Sequence, residues 1–86
     1  MNELSCLLEG ILFASGEPVY EEKLRQVLGI DAEQLHQLAQ ELADSYDAEK
    51  RGFQIIRLQD SYQMVSRAEY ADTIRRALEV RRTPSL

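Results

Sequence analysis

One cysteine, one histidine, two prolines and four glycines are all that 86 residues contain of these types. Each scarcity excludes something. Cys6 alone cannot close an internal disulfide, so the core must hold the fold, and a reducing cytoplasm suits such a chain. With Cys6 and His36 the only thiol and imidazole, no His/Cys spacing fits a metal site. No Ser or Cys stands near enough in sequence to His36 to form a nucleophile–base pair, so His36 reads as a surface residue. Cys6 lies among Leu4, Leu7 and Leu8 with no local cation to activate it, and reads as a small buried hydrophobe. Gly10, Gly16, Gly29 and Gly52 are scattered and make no phosphate-cradling loop. The pair Glu21-Glu22 falls at a helix start, where it has a structural explanation. No enzyme, metal or cofactor is expected. No apolar run nears the roughly 20 residues of a membrane helix, and the opening MNELSCLLEG has no basic region of the secretory kind. The net charge of -5 disfavours bulk attraction to DNA or anionic lipid.

What is present reads as one small domain. Leu4, Leu7, Leu8, Ile11 and Leu12 recur at helical spacing between Asn2 and Ser15. Gly16 can take the left-handed conformation that closes a helix, and Pro18 cannot continue one. A short second helix is expected from Tyr20 to Leu28, burying Leu24, Val27 and Leu28, although Tyr20 is a poor N-cap. Gly29 ends it. Asp31 with Gln34 makes a capping box for a third helix, whose inner side is Leu35, Leu38, Ala39, Leu42 and Tyr46. Helix, glycine turn, helix is the helix-turn-helix pattern.

The period then changes. GFQIIRLQDSYQMV predicts a hairpin, strands 53–59 and 62–66, with a two-residue turn at Asp60-Ser61. Ser66 and Glu69 predict a capping box opening a last helix through Val80, with Tyr70, Ile74, Ala77 and Leu78 on its inner face. The tail RRTPSL has no periodicity and resembles the start of a linker. The fold expected is α+β, a winged helix-turn-helix: three helices, a two-stranded wing hairpin, and a C-terminal helix packed behind the wing.

The usual task of this fold is to read DNA with helix three. Residues 31–47 contain Asp31, Glu33, Glu41, Asp44 and Asp47 and neither Lys nor Arg, so the charge has the wrong sign for phosphate. Gln34, Gln37 and Gln40 have base-reading chemistry but no cation beside them. Arg67, Arg75, Arg76, Arg81 and Arg82 gather toward the C-terminus, as a solvated helix face or as a handle for phosphate or an acidic partner.

A surplus of apolar surface remains. On helix one, Cys6, Gly10 and Phe13 fall at i, i+4 and i+7, away from Leu4, Leu8 and Ile11, and only Ser5 and Glu9 make a polar strip. The hairpin puts Phe53, Ile55, Tyr62 and Met64 on one face and Ile56, Leu58 and Val65 on the other. Either helix four or the wing covers the second stripe, or another chain does. The expected interface residues are Cys6, Gly10, Phe13, Ile56, Leu58 and Val65, and the partner a second copy.

LEGILFASGEPVYEEKLRQVLGI resembles the opening of the bacterial segregation and condensation protein B family, and RGFQIIRLQDSYQMVSRAEYADTIRR resembles that family's wing and following helix. Tyr20 departs from it where a small capping residue is common, and Asp60-Ser61 where glycines are. The resemblance implies a non-catalytic scaffold with two winged-helix domains, acting with a kleisin subunit (segregation and condensation protein A) and an SMC ATPase in chromosome condensation and segregation. It also implies a cytoplasmic, nucleoid-associated protein whose N-terminal domain homodimerises. On that basis residues 1–82 are the N-terminal winged-helix domain and 83–86 the start of the linker to the second. The alternative expectation is a fragment of a winged-helix, DNA-binding transcription regulator.

Overall fold

The computed structural model describes residues 2–79. Helix α1 spans Glu3–Ser15. The Asn2 side-chain oxygen accepts from the Ser5 N–H at 2.8 Å, satisfying one of the N–H groups a helix start leaves unpaired. At the other end Gly16 sits at φ 66° and donates to the Leu12 carbonyl at 3.3 Å, as the sequence predicts for a left-handed helix stop. Leu8 and Leu12 are fully buried, with Leu4 and Ile11 packed beside them, but Leu7 turns out to solvent.

After Pro18 the chain does what local signals do not reveal. Val19–Tyr20 forms a two-residue strand, β1. Tyr20 is therefore a strand residue rather than the first turn of a helix. Helix α2, Glu21–Leu28, starts without a side-chain cap, and the Glu21 N–H donates instead to the Asp60 carbonyl at 2.9 Å. A tertiary contact thus supplies what Tyr20 cannot. Leu24 is buried, whereas Val27, expected inside, is exposed. Gly29 closes the helix at φ 69°.

Helix α3, Ala32–Ala48, begins with the predicted capping box: the Gln34 N–H donates to Asp31 at 2.8 Å, and the Asp31 N–H to the Gln34 side chain at 2.9 Å. Leu35, Leu38, Ala39, Leu42 and Tyr46 are all buried, as their spacing predicts.

Strands β2, Phe53–Arg57, and β3, Ser61–Ser66, pair antiparallel, and β1 joins the free edge of β3, giving a sheet of order β1-β3-β2. Arg57 faces Tyr62 and Ile55 faces Met64. The turn therefore centres on Gln59-Asp60, one residue before the Asp60-Ser61 expected, with Leu58 facing Ser61 and the Leu58 N–H donating to the Ser61 carbonyl at 2.8 Å. The pairing has moved by two residues, and because strand side chains alternate with period two, the faces are kept. Phe53, Ile55, Tyr62 and Met64 meet the helices, and the Phe53 ring stands edge-on to Tyr46 with centroids 4.8 Å apart.

The last segment departs from expectation. Ser66 ends β3, so it caps nothing; a 3-10 turn, Ala68–Tyr70, leads without a side-chain cap into helix α4, Ala71–Glu79. No residue of α4 is buried, and its substantial packing is with that leading turn alone, not with the back of the wing. The expected domain end at 82 and linker at 83–86 lie outside the described residues.

Gly16→Val tests the first helix stop. A Cβ there meets nothing within 4 Å, so the cost is backbone strain alone. A β-branched residue at positive φ is expected to lower stability by at least ~1 kcal/mol. Urea denaturation measures it; an unchanged midpoint would show that Gly16 is not the stop.

Candidate protein interface

The two sides of α1 have opposite fates. Its inner side fills the core. On its outer side Cys6, Leu7, Gly10, Phe13 and Ala14 are exposed, bounded by Glu3 and Ser15 at the ends. Cys6 is therefore not the buried hydrophobe expected. The two residues that read as a polar strip have instead been drawn inward. Ser5 is buried, and the Glu9 carboxylate accepts from the Tyr46 hydroxyl at 2.6 Å. Burial first, then the bond to Glu9, raises the Tyr46 pKa well above the ordinary phenol value, so its proton stays in place as the donor. This exchange leaves the outer side of α1 without a charged residue between Glu3 and Ser15. Phe13 is 76% exposed, which is unusual for so large an apolar side chain.

Phe13 also edges a shallow apolar groove. Phe53, Met64 and Val65 form its wing side, with Gly16 and Gly52 at its margins. Of the six interface residues expected, the structure brings Phe13 and Val65 to this groove, with Gly10 and Cys6 continuing along α1. Ile56 lies on the outer wing face, half-buried. That face is less apolar than expected, because Gln54 is paired with Val65 and Gln63 with Ile56. Leu58 stands in the hairpin turn, at the other end of the wing from Phe53 and the groove. The sequence reading missed Leu7 and Ala14, which the i, i+7 spacing along the same stripe could have found.

Helix α3 presents a different surface. Asp31 and Gln34 are engaged in the cap, and the Gln40 amide donates to Asp44 at 2.9 Å, which leaves Gln37 as the one α3 glutamine whose side chain has no hydrogen-bond partner among the described residues. Glu33, Glu41, Asp44 and Asp47 are exposed along it. His36 is not a free surface residue: it is half-buried and shares a 2.9 Å hydrogen bond with Tyr62, tying α3 to the central strand. Arg57 lies over the same Tyr62 ring and pairs with Glu21 at 2.9 Å. His36, Tyr62 and Arg57 thus act as structural fasteners between elements.

The arginines divide likewise. Arg67 is a structural group: its Nε donates to the Arg51 carbonyl at 2.8 Å and its Nη2 to Asp47 at 2.7 Å. Arg75 pairs with Asp72 and Glu79, and Arg76 with Asp72, on an exposed face of α4. Arg81 and Arg82 lie outside the described residues. Among the described residues no cluster of His, Cys, Asp or Glu could hold a metal ion, and no helix is long and apolar enough to cross a membrane.

A glycine-turned helix pair, α2 and α3, backed by α1 and flanked by a small antiparallel wing, defines a winged-helix domain. The chain belongs to the family described as segregation and condensation complex subunit ScpB, whose model matches residues 6–86. It is 33% identical to segregation and condensation protein B of Alkaliphilus metalliredigens, over 99% of this chain and 45% of that protein. Two solved structures share the fold. ScpB from Mycobacterium tuberculosis superposes with TM-score 0.85 at 21% identity, over 98% of this chain and 52% of that one. A structure described as a dimer of the ScpB N-terminal domain complexed with ScpA peptide gives 0.76 at 22% identity, over 85% of this chain and 91% of that one. The chain spans about half the length of the curated relatives it matches.

Proposed function

We propose that this chain is a non-catalytic dimerisation and scaffold module of a bacterial SMC–kleisin condensin complex, acting in chromosome condensation and segregation. The observation that carries this reading is the uncharged outer side of α1, running through Gly10 and Phe13 into the Phe13–Val65 groove. Apolar surface of that continuity marks a protein contact. A small side chain at Gly10 lets a second backbone approach, and Phe13 is an aromatic anchor of the class enriched in interface hot spots. The solved relative described as an N-terminal-domain dimer, 91% of which this chain covers, supports a second copy as the partner. The same relative's ScpA peptide supports a kleisin subunit as the next partner, with an SMC ATPase in the full assembly. The module works in the cytoplasm on the nucleoid, and a second winged-helix domain follows it in the whole protein.

Phe13→Glu separates folding from association. Because Phe13 is so exposed, its replacement leaves the core untouched. Sedimentation of the wild-type chain is expected to give a dimer, and the variant a monomer with the same helical signal. Loss of a hot-spot anchor costs about 2 kcal/mol or more, roughly a thirtyfold weaker Kd. A wild-type chain that stays monomeric at high concentration refutes the dimer.

The DNA-reading alternative has its own test. The exposed acids of α3 would face phosphates, so no tight duplex binding is expected even at low salt, where attraction is least screened. Sequence-dependent binding abolished by Gln37→Ala would restore the regulator reading. Gln34 is unsuitable for this purpose, because its side chain is part of the helix cap.

A further inference from the structure

The outer side of α1 is too small to make a dimer unaided. Phe13 offers roughly 150 Å², and Cys6, Leu7, Gly10 and Ala14 are small or half-covered. A standard interface takes about 800 Å² from each partner. Further surface must join it, and α4 has that surface. Its apolar edge, Ala71, Ile74 and Leu78, lines a second shallow groove that meets the first at Ser66. Leu78 is 53% exposed and Tyr70 45%. The two surfaces meet on one chain, yet the apolar edge of α4 stays largely uncovered, with only Ile74 half-buried.

The reason is the turn between them. The Arg67 N–H donates to the Gly52 carbonyl at 2.9 Å, while its guanidinium is held by the Arg51 carbonyl and Asp47. The Tyr70 N–H then donates to the Arg67 carbonyl at 3.0 Å. These bonds fix the direction in which α4 leaves the sheet, and along that direction no residue of α4 is buried. Residues 80–86, Val-Arg-Arg-Thr-Pro-Ser-Leu, are too polar to supply an apolar cover. The charged side of α4 is already satisfied internally by Arg75, Arg76, Asp72 and Glu79, so covering the apolar edge strands no unpaired charge.

We propose that α4 is an exchange arm: in the dimer its Ile74–Leu78 edge lies in the Phe13–Val65 groove of a second copy, while the reciprocal arm fills the groove of the first. A protruding amphipathic helix and an apolar groove on the same chain are complementary halves. Two such contacts about one twofold axis close the assembly, with the α1 stripes crossing near Gly10 on that axis. Nine residues of helix span about 13 Å, enough to follow α1 from Phe13 back past Gly10. The proposal rests on the dimer reading above and adds the element that makes the dimer large enough.

Two measurements test it on the 86-residue chain. In a Cys6→Ser background, Val65→Cys is placed on one chain and Ile74→Cys on another of different mass, and the mixture is mildly oxidised. The expected product is a disulfide between position 65 of one chain and position 74 of the other; products linking only 65 to 65 overturn the arm. Separately, Ile74→Glu with Leu78→Glu is expected to weaken dimerisation at least about tenfold, one 1.4 kcal/mol step, with the helical signal of the folded chain retained. A wild-type dimer whose Kd ignores both α4 changes defeats the arm and leaves the dimer standing, whereas a wild-type monomer defeats the dimer itself. A variant that unfolds would show that α4 packs within its own chain, which also overturns the exchange.

Discussion

A core filled by Leu8, Leu12, Leu24, Leu35, Leu42 and Tyr46 has room for one face of each helix and no more. Everything else about this domain follows from that limit. Interiors are packed as densely as organic crystals, so a second apolar face cannot be accommodated by loosening the first. Helix α1 contributes Leu8 and Leu12 inward and must leave Phe13 outside. Helix α4 arrives after the core is closed and finds no face to bury. The apolar surplus is therefore what one small core leaves uncovered, and the proposed association is a physical outlet for it.

What keeps the surplus from collapsing onto the core is a set of polar fasteners between elements. Tyr62 is the centre of one set. It is buried in the middle strand, pairs in register with Val19 on one side and Arg57 on the other, and shares a hydrogen bond with His36 of α3. Arg67 is the centre of another, joining the end of the wing to the residues that follow α3. Tyr46 with Glu9 joins α3 to α1. Each is a side chain reaching a partner distant in sequence, which fixes the angle between elements that apolar packing alone leaves soft. The bonds of Tyr46 to Glu9 and of Arg67 are charge-assisted, and such bonds contribute more than neutral ones.

Much of this was legible in the sequence, and the failures have a common cause. Helix limits were readable because their signals are local: Asp31 with Gln34, and Gly16 and Gly29 at positive φ. The inner face of α3 was readable because five apolar residues repeat along it. The wing's two faces survived a wrong turn because a two-residue slip keeps parity. What failed depended on partners. Strand β1 is two residues long and exists only because the edge of β3 is beside it. Val27 and Leu7 follow helical spacing, but periodicity defines an arc and not which part of it a neighbour covers. His36 and Ser5 were placed outside because nothing local announces Tyr62 or the tight fit against α1. The capping box at Ser66 failed because Ser66 was already committed to β3, and pairing with Phe53 overrode the local motif. Among the interface residues, Phe13, Gly10 and Cys6 could be placed from helix spacing alone, whereas Leu58 could not, since its position turned on the hairpin register.

The acid surface of α3 takes on meaning beside the proposed dimer. A helix-turn-helix keeps its shape because α3 supplies Leu35, Leu38 and Leu42 to the core, whatever its outer residues are. Those outer residues are then free to set the domain's relation to nucleic acid. A scaffold that works on the nucleoid is surrounded by phosphate at high density, and a basic α3 would hold it there non-specifically through counterion release. Glu33, Glu41, Asp44 and Asp47 remove that attraction within a Debye length of about 8 Å. Helix α1, by contrast, carries no charge between Glu3 and Ser15 on its exposed side, so association there is set by shape and apolar area and is little altered by salt. On the proposed reading the same small fold separates two requirements by face: repulsion of the polyanion on α3, and attraction of a second copy on α1 and α4.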